Sequence, residues 1–189
     1  MARNLSSAKK ITMSIKVHNK HFVPFLKEED ILLRVTQLAD CINKDYKDKK
    51  PLFIAILNGS FMFASDLFKS LNIEAEICFI KLASYKGTQS TGQVITTIGL
   101  DTDIAGRHLI ILEDIIDTGK TMHDFLPQLM HQNPASLSIA VLLHKPRAIK
   151  YPVKIDYLGF QVPDKFLLGY GLDYDGLGRN LRDIYQLDT

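Results

Sequence analysis

The acidic residues between positions 109 and 122 are the side chains of this chain that could most readily do chemistry. Glu113 and Asp114 follow four apolar residues, and Asp117 opens the run Asp-Thr-Gly-Lys-Thr at 117–121. Ionised carboxylates only accept hydrogen bonds, so they suit hydroxyl groups or a cation. A glycine-containing loop at the start of a helix offers backbone N–H groups to a phosphate. The segment therefore predicts a ligand that carries a phosphate and a hydroxyl-rich sugar.

Two common nucleotide-binding loops do not match this chain. A Walker A loop needs a glycine five residues before its second glycine, where this chain has Asp114. A carboxylate there repels a polyphosphate unless a cation or sugar hydroxyls stand between them. A dinucleotide-binding module needs Gly-x-Gly-x-x-Gly after an early strand, and the Asn-Gly-Ser-Phe run at 58–61 does not supply it. A sugar with one phosphate and a metal-bound pyrophosphate fits the acidic segment better.

Hydrophobic patterns place this segment between a strand and a helix. Residues 109–112 form a short apolar run typical of a buried parallel strand, and apolar residues recur at helical spacing from Met122. The chain also predicts helices at 28–43 and 61–71, the second with Phe61 facing inward. Further strands are predicted at 52–57, 73–83, 93–100, 137–143, 155–162 and 184–187. This alternation predicts an α/β fold with a doubly wound, mostly parallel, twisted sheet, in which ligands bind at the carboxyl ends of the strands.

Length and composition exclude several other classes. A chain of 189 residues with 46% hydrophobic residues predicts one domain. The net charge of +2 gives no bulk attraction to nucleic acid or to an acidic membrane, and no apolar window approaches a membrane span. Cys41 and Cys78 have no metal or redox spacing, so we expect reduced, half-buried thiols in a cytoplasmic protein that carries no signal peptide.

The acidic segment resembles the phosphoribosyl-pyrophosphate signature of type I phosphoribosyltransferases, most closely the hypoxanthine (hypoxanthine-guanine) phosphoribosyltransferases. Four further segments match that family in the same order, and the match spans roughly residues 13–185. They are 57–60 (Leu-Asn-Gly-Ser), Ser84-Tyr85 with 89–92 (Gln-Ser-Thr-Gly), 145–146 (Lys-Pro), and 162–166 (Val-Pro-Asp-Lys-Phe) continuing to Asp173 and Arg179. Several signatures in register are far more specific than any one of them.

The resemblance implies a purine-salvage enzyme in a single domain, residues 1–189. Its core would comprise about 28–160, with a small hood from 13–25 and 161–187 and a mobile lid loop from Ser84 to Gly92. The reaction would be the Mg²⁺-dependent transfer of the 5-phosphoribosyl group from phosphoribosyl pyrophosphate to hypoxanthine, and also to guanine. The family also implies a homodimer or homotetramer.

The resemblance assigns roles to residues by their place in the matching segments. Asp117 would be the general base, near nitrogen seven of the purine. The residues expected to bind phosphoribosyl pyrophosphate are Glu113, Asp114, Thr118, Gly119, Lys120 and Thr121. Those expected at the pyrophosphate are Asn58, Gly59, Ser84, Tyr85 and Arg179. Those expected at the purine are Ile115, Lys145, Phe166, Leu167 and Asp173. Magnesium would be held by Glu113, Asp114 and Asp173.

Plainer interpretations of these residues stand beside the functional ones. Asp117 alone would be an ordinary helix N-cap, Lys145 a surface lysine and Phe166 a core aromatic. Many family members have lysine at position 58, where this chain has Asn58, and the peptide bond before that position is often cis in the family. Two other functions stay open: a xanthine-preferring enzyme, and an RNA-binding regulator on the same fold, which would need a basic surface stripe.

Overall fold

The main sheet has five parallel strands, and their carboxyl ends lie at the same edge. The computed structural model describes residues 14–84, 94–98 and 102–188, and the side chains of all of these except residues 83–84 and 94–98. Within that part, the elements in chain order are β1 (Ile15–Val17), β2 (Lys20–Leu26), α1 (Glu28–Asp45), β3 (Leu52–Leu57), α2 (Phe61–Lys69), β4 (Glu76–Ser84), β5 (Val94–Ile98), β6 (His108–Ile116), α3 (Lys120–Met130), β7 (Ser136–His144), β8 (Tyr157–Gln161), β9 (Leu167–Leu168) and β10 (Ile184–Leu187).

Six of these strands form the main sheet, in the order β5-β4-β3-β6-β7-β8. All neighbouring pairs are parallel except β4 and β5, which run antiparallel. Central strands are buried on both faces, as the continuous apolar runs of β3 and β6 require. The doubly wound, mostly parallel sheet predicted from the sequence is therefore confirmed.

Helices cover both faces of this sheet. Helices α1 and α2 pack on one face, where their buried stripes meet Phe53, Ala55, Ile110 and Leu112. Helix α3 packs on the other face, against a cluster that includes Ile111. Each core thus combines alternate residues of the same strands, because successive side chains of a strand point to opposite faces.

A second, smaller sheet forms from both chain ends, in the order β1-β2-β10-β9. It is antiparallel throughout. Two contacts fix it to the core. Asp183 accepts a hydrogen bond of 2.9 Å from the backbone N–H of Glu28 at the start of α1. The Tyr170 hydroxyl donates to Asp66 of α2 at 2.8 Å. These strands correspond to the predicted hood.

Two expectations about side chains were wrong. Phe61 does not face inward but is 41% exposed, because the buried stripe of α2 runs through Phe63, Ala64 and Leu67 and leaves the first residue outside it. Cys41 is exposed rather than half-buried, because it lies outside the buried stripe of α1. Among the described residues, no helix has the length and apolar character needed to cross a membrane.

Candidate active site

The predicted site residues lie at the carboxyl edge of the main sheet. Parallel strands present their carboxyl ends together, and this edge is where open α/β sheets bind ligands. The turn at 58–60 follows β3, the loop at 117–119 follows β6, Lys145 follows β7, and the segment from Val162 to Phe166 follows β8. Ser84 ends β4 at the same edge, but its side chain lies outside the described part. Tyr85 and the rest of the predicted lid also lie outside it.

The loop between β6 and α3 depends on Gly119. Its φ is +81°, in the left-handed region that side chains disfavour. A Cβ on Gly119 would lie 2.2 Å from the carbonyl oxygen of Tyr151. The same neighbouring segment is bonded to the loop, because the Thr118 carbonyl accepts hydrogen bonds of 3.0 Å from the N–H groups of Lys150 and Tyr151. Only glycine fits this turn.

A small cavity lies at the start of α3, where the N–H of Lys120 makes only a long hydrogen bond of 3.4 Å, to Oγ1 of Thr118. The first groups of a helix have no intrahelical acceptor, and here the bond from His123 N–H to the Gly119 carbonyl is the first of the ladder. A cavity of about 80 Å³ is lined by residues 113 and 115–122. Whole ligand pockets are roughly 300–1,000 Å³, so this space suits one phosphate group. Together with the helix dipole, these donors make an anion site.

In the acid pair of β6, Glu113 lines that cavity, and Asp114, the next residue of the strand, lies against the turn after β3. Glu113 is buried, and its Oε2 has no hydrogen-bond partner among the described residues. Burial, and secondarily the charge of Asp114, holds the pKa of Glu113 well above its ordinary value. Burial also raises the pKa of Asp114 to about 6, although the N–H of Ile115 and the charge of Arg179 act in the opposite direction. The unpartnered Oε2 of Glu113, and Asp114 with its one bond from the N–H of Ile115, would gain from the hydroxyl groups of a ligand or from a cation.

The turn after β3 packs directly on this acid pair. The Leu57–Asn58 peptide bond is cis. A Cβ on Gly59 would lie 1.5 Å from Oδ2 of Asp114, and a Cβ on Gly171 would lie 2.0 Å from the carbonyl oxygen of Gly59. Gly59 is therefore enclosed between β6 and the segment from the chain end, while the Asn58 side chain is exposed.

Arg179 is held beside the same turn. Its guanidinium pairs with Asp173 at 2.7 Å and donates to the carbonyl oxygen of Gly171 at 2.7 Å. The other carboxylate oxygen of Asp173 accepts from the N–H of Gly176 at 2.7 Å. The charge of Arg179 lowers the pKa of Asp114, and the charge of Asp173 raises it. The structure thus brings Asp114, Asp173 and Arg179 together, with Arg179 oriented by bonds within its own segment.

Asp117 and Lys145 form an ion pair. The Lys145 ammonium lies 2.8 Å from Oδ2 of Asp117 and 3.8 Å from Oδ1 of Asp164. The Lys145 side chain is 9% exposed, whereas that of Asp117 is 47% exposed. Two of the plainer interpretations are therefore wrong. Gly119 occupies the N-cap position of α3, and no side chain caps it. Lys145 is buried, not a surface lysine, and a buried ammonium needs the partner that Asp117 supplies.

Phe166 is an exposed aromatic ring on a rigid support. The ring is 41% exposed, so the interpretation as a core residue is wrong. It meets Tyr174 edge-on at a centroid distance of 5.7 Å and Phe22 at 6.2 Å. The Phe166 carbonyl accepts a hydrogen bond of 2.9 Å from Leu187, which fixes the backbone next to the buried Leu167. An open aromatic face on a fixed backbone can stack on a planar ligand.

A larger cavity lies at the opposite edge of the sheet. It has a volume of about 730 Å³ and is lined by residues of 43–50 and 72–74. These segments precede β3 and β4, so they lie at the amino ends of the strands. Its lysines are surface residues, and Lys50 is paired with Glu74. It has no counterpart of the buried acid pair or the glycine loop, so we assign the chemistry to the carboxyl edge.

A glycine-dependent loop and two adjacent carboxylates lie at the carboxyl edge of a doubly wound sheet, as the resemblance to phosphoribosyltransferases led us to expect. A family model described as a phosphoribosyl transferase domain matches residues 25–175. The chain is also 43% identical, over 159 residues, to a hypoxanthine phosphoribosyltransferase of Buchnera aphidicola, which covers 82% of this chain and 90% of that protein. This chain belongs to the hypoxanthine (hypoxanthine-guanine) phosphoribosyltransferase family, as its sequence segments indicated.

Two further comparisons agree with this assignment. A hypoxanthine-guanine-xanthine phosphoribosyltransferase of Tritrichomonas foetus is 42% identical, over 82% of this chain and 85% of that protein. The crystal structure of a hypoxanthine-guanine phosphoribosyltransferase from Bacillus anthracis superposes with a TM-score of 0.82 at 36% identity, over 87% of this chain and 98% of that one.

Proposed function

We propose that this chain transfers the 5-phosphoribosyl group from phosphoribosyl pyrophosphate to nitrogen nine of hypoxanthine, and also of guanine. The observation that carries the proposal is the position of the buried Glu113, with Asp114 beside it, next to a loop that only Gly119 can form. Carboxylates can accept hydrogen bonds from the hydroxyl groups of a ribose, and N–H groups at the helix start can bind its phosphate.

The donor would lie along the edge of β6. The N–H groups of residues 118–121 would hold its 5′-phosphate, and Glu113 and Asp114 would accept hydrogen bonds from the ribose hydroxyls. The pyrophosphate would contact the turn of Asn58 and Gly59 and the guanidinium of Arg179, whose fork suits phosphate oxygens. Asn58 contributes amide donors without the charge that lysine brings elsewhere in the family. Ser84 and Tyr85 remain predicted pyrophosphate contacts.

The acid residues fit Mg²⁺ that keeps most of its water. Magnesium usually takes one or two protein carboxylates together with waters and substrate oxygens. No cluster of three or more acids, histidines or cysteines is arranged as a metal cage within the described residues. The unpartnered Oε2 of Glu113 offers an acceptor at this edge, and Asp114 and Asp173 would add to the same site. Bound there, the ion would neutralise charge on the departing pyrophosphate.

The acceptor base would lie between Phe166 and the Asp117–Lys145 pair. Phe166 would stack on the purine, with Ile115 and the Leu167 backbone at its edges. Lys145 can only donate, so it would select a 6-oxo group over the 6-amino group of adenine. Asp117 would accept the proton from nitrogen seven as nitrogen nine attacks. The C1′–oxygen bond to pyrophosphate then breaks, and its electron pair leaves with the pyrophosphate.

An assay with purified protein tests this proposal. Phosphoribosyl pyrophosphate, Mg²⁺ and each of hypoxanthine, guanine, xanthine and adenine are supplied separately, and nucleotide formation is followed. We expect turnover with hypoxanthine and guanine and none with adenine. The reaction with xanthine tests the alternative of a xanthine-preferring enzyme. No nucleotide from any base would refute the function.

The Asp117→Asn variant tests the general base. Its turnover should fall by about 10²–10⁴-fold, while the Michaelis constants change little, since Asn keeps the shape but cannot take the proton. Asp40→Asn is a matched control, because it removes the same charge from an exposed position on α1. An unchanged rate in Asp117→Asn would remove this residue as the base.

We also propose a homodimer or homotetramer that works in the cytoplasm. Both cysteines are free, which suits a reducing compartment. An apolar surface of α2 and β4 supports assembly of two copies: Phe61 and Phe79 are 41% and 42% exposed beside Phe68. Lys69 on its rim is paired with Asp66, so the surface carries no net charge that would repel a second copy.

Sedimentation of variants tests this assembly. Phe79→Asp should convert the protein to monomers at micromolar concentration, because a charge at the centre of an apolar interface is strongly unfavourable. Leu33→Asp is the control, since Leu33 is also exposed but lies on α1. If Phe79→Asp formed an assembly of the same mass as the wild-type assembly, the interface would lie elsewhere.

A further inference from the structure

Lys145 has a second carboxylate within reach that the proposed mechanism does not use. Its ammonium contacts Asp117 at 2.8 Å and lies 3.8 Å from Oδ1 of Asp164. Asp117 follows β6, whereas Asp164 follows β8, so the two acids approach Lys145 from different strand ends. The Asp164 side chain is 62% exposed and the ammonium is buried. Asp164 is thus an exposed carboxylate close to a buried cation.

The reaction changes the charge balance around this cation. This change in charge presupposes the proposed function. Before reaction, the Lys145 ammonium faces two carboxylates. When the nitrogen-seven proton passes to Asp117, that carboxyl group becomes neutral, and the purine offers Lys145 only a neutral carbonyl oxygen. Asp164 is then the remaining anion within 4 Å of the ammonium among the described residues. A buried ammonium is less stable without an anionic partner.

We propose that Asp164 is the counter-ion that stabilises the Lys145 ammonium and keeps it directed at the 6-oxo group while Asp117 takes up the proton. Asp164 does not touch the substrate, so it is a positioning residue. Its contribution grows as Asp117 is neutralised and is therefore larger in the transition state than in the substrate complex. An interaction of that kind raises the rate of the chemical step and leaves substrate affinity nearly unchanged.

The test is the single-turnover rate of Asp164→Asn with enzyme in excess, because product release can hide the chemical step in steady-state turnover. An exposed carboxylate paired with a lysine contributes little, so we expect the rate to fall by about two- to fivefold. The dissociation constant of hypoxanthine should change by less than about twofold. Asp164→Glu keeps the charge and should restore the rate. Asp40→Asn serves as the control for loss of one surface charge.

A double-mutant cycle separates this role from a structural one. In a Lys145→Met background, Asp164→Asn should have no further effect, since the cation that it serves is absent. If Lys145→Met does not fold, the rescue by Asp164→Glu carries the test. The proposal is overturned if Asp164→Asn reacts as fast as Asp40→Asn, or if it slows the Lys145→Met enzyme by the same factor as the wild type. An inactive wild-type enzyme would refute the proposed function instead.

Discussion

The substitution Gly119→Ala tests the phosphate loop most sharply. Gly119 has a φ of +81°, and a Cβ there would lie 2.2 Å from the Tyr151 carbonyl oxygen, which is far closer than the ordinary contact of 3.4 Å or more. The two backbones must therefore separate by about 1 Å. They cannot separate freely, because Thr118 is bonded to the N–H groups of both Lys150 and Tyr151.

Two costs follow from this geometry. The left-handed conformation alone costs an alanine about 1–2 kcal/mol. The displacement adds a functional loss, since a misplacement of about 1 Å at a substrate-positioning group can reduce activity about 10²-fold. We therefore expect kcat/KM for phosphoribosyl pyrophosphate to fall by about 10²-fold. The affinity for hypoxanthine should change much less, because the base would contact this loop only through Asp117.

Gly106→Ala is the matched control for this experiment. Gly106 has a φ of +69°, and a Cβ there meets nothing within 4 Å. It therefore carries the conformational strain without the displacement. Each kcal/mol of lost folding stability should lower the melting temperature of a chain of this size by about 2–4 °C. Gly106→Ala should show that loss with normal kinetics. If Gly119→Ala used phosphoribosyl pyrophosphate as well as Gly106→Ala does, the loop would not be the phosphate site.

Two further substitutions address the base and the acid pair. Lys145→Ala should weaken discrimination against adenine by about tenfold or more, because the donor that a 6-oxo group needs is lost; a retained preference in competition assays would place base recognition elsewhere. Burial holds the pKa of Asp114 at about 6 in the folded state, above about 3.9 in an unfolded chain. The native state then binds the proton more tightly, so Asp114 weakens folding as the pH rises from about 4 to 6. We therefore expect the free energy of unfolding of Asp114→Asn, measured relative to that of the wild type, to increase by on the order of 1–3 kcal/mol from pH 4 to pH 7.5. Urea unfolding at the two pH values measures it. An equal difference at both pH values would contradict the burial of this carboxylate.

The sheet and its ligand edge follow from local patterns in the sequence. The apolar run of β3 and the turn after it were predicted within a residue, and so was β10 at 184–187. These elements are short, strongly apolar and bounded by turn residues, so their pattern is decisive. Phe61 shows the limit of such patterns. It is the first residue of α2, and the sequence does not tell whether a residue at the edge of the buried stripe faces the core or solvent.

The contacts between distant segments could not be predicted. The pairing of Lys145 with Asp117 and Asp164 joins three strand ends, and no spacing in the sequence records it. Gly171 is buried against Gly59, and this packing also appears only once the chain ends fold over the core. Polar residues at strand ends carry no periodicity, so their partners depend on strand order rather than on local propensity.

A crystal structure with the product nucleotide IMP would test the central claim most directly. We predict the 5′-phosphate on the backbone N–H groups of residues 118–121, and the ribose hydroxyls within about 3.2 Å of Glu113 or Asp114. The base should stack on Phe166 with its 6-oxo group at Lys145. Density for the nucleotide at any other edge of the sheet, or a ribose facing away from the acid pair, would contradict the account.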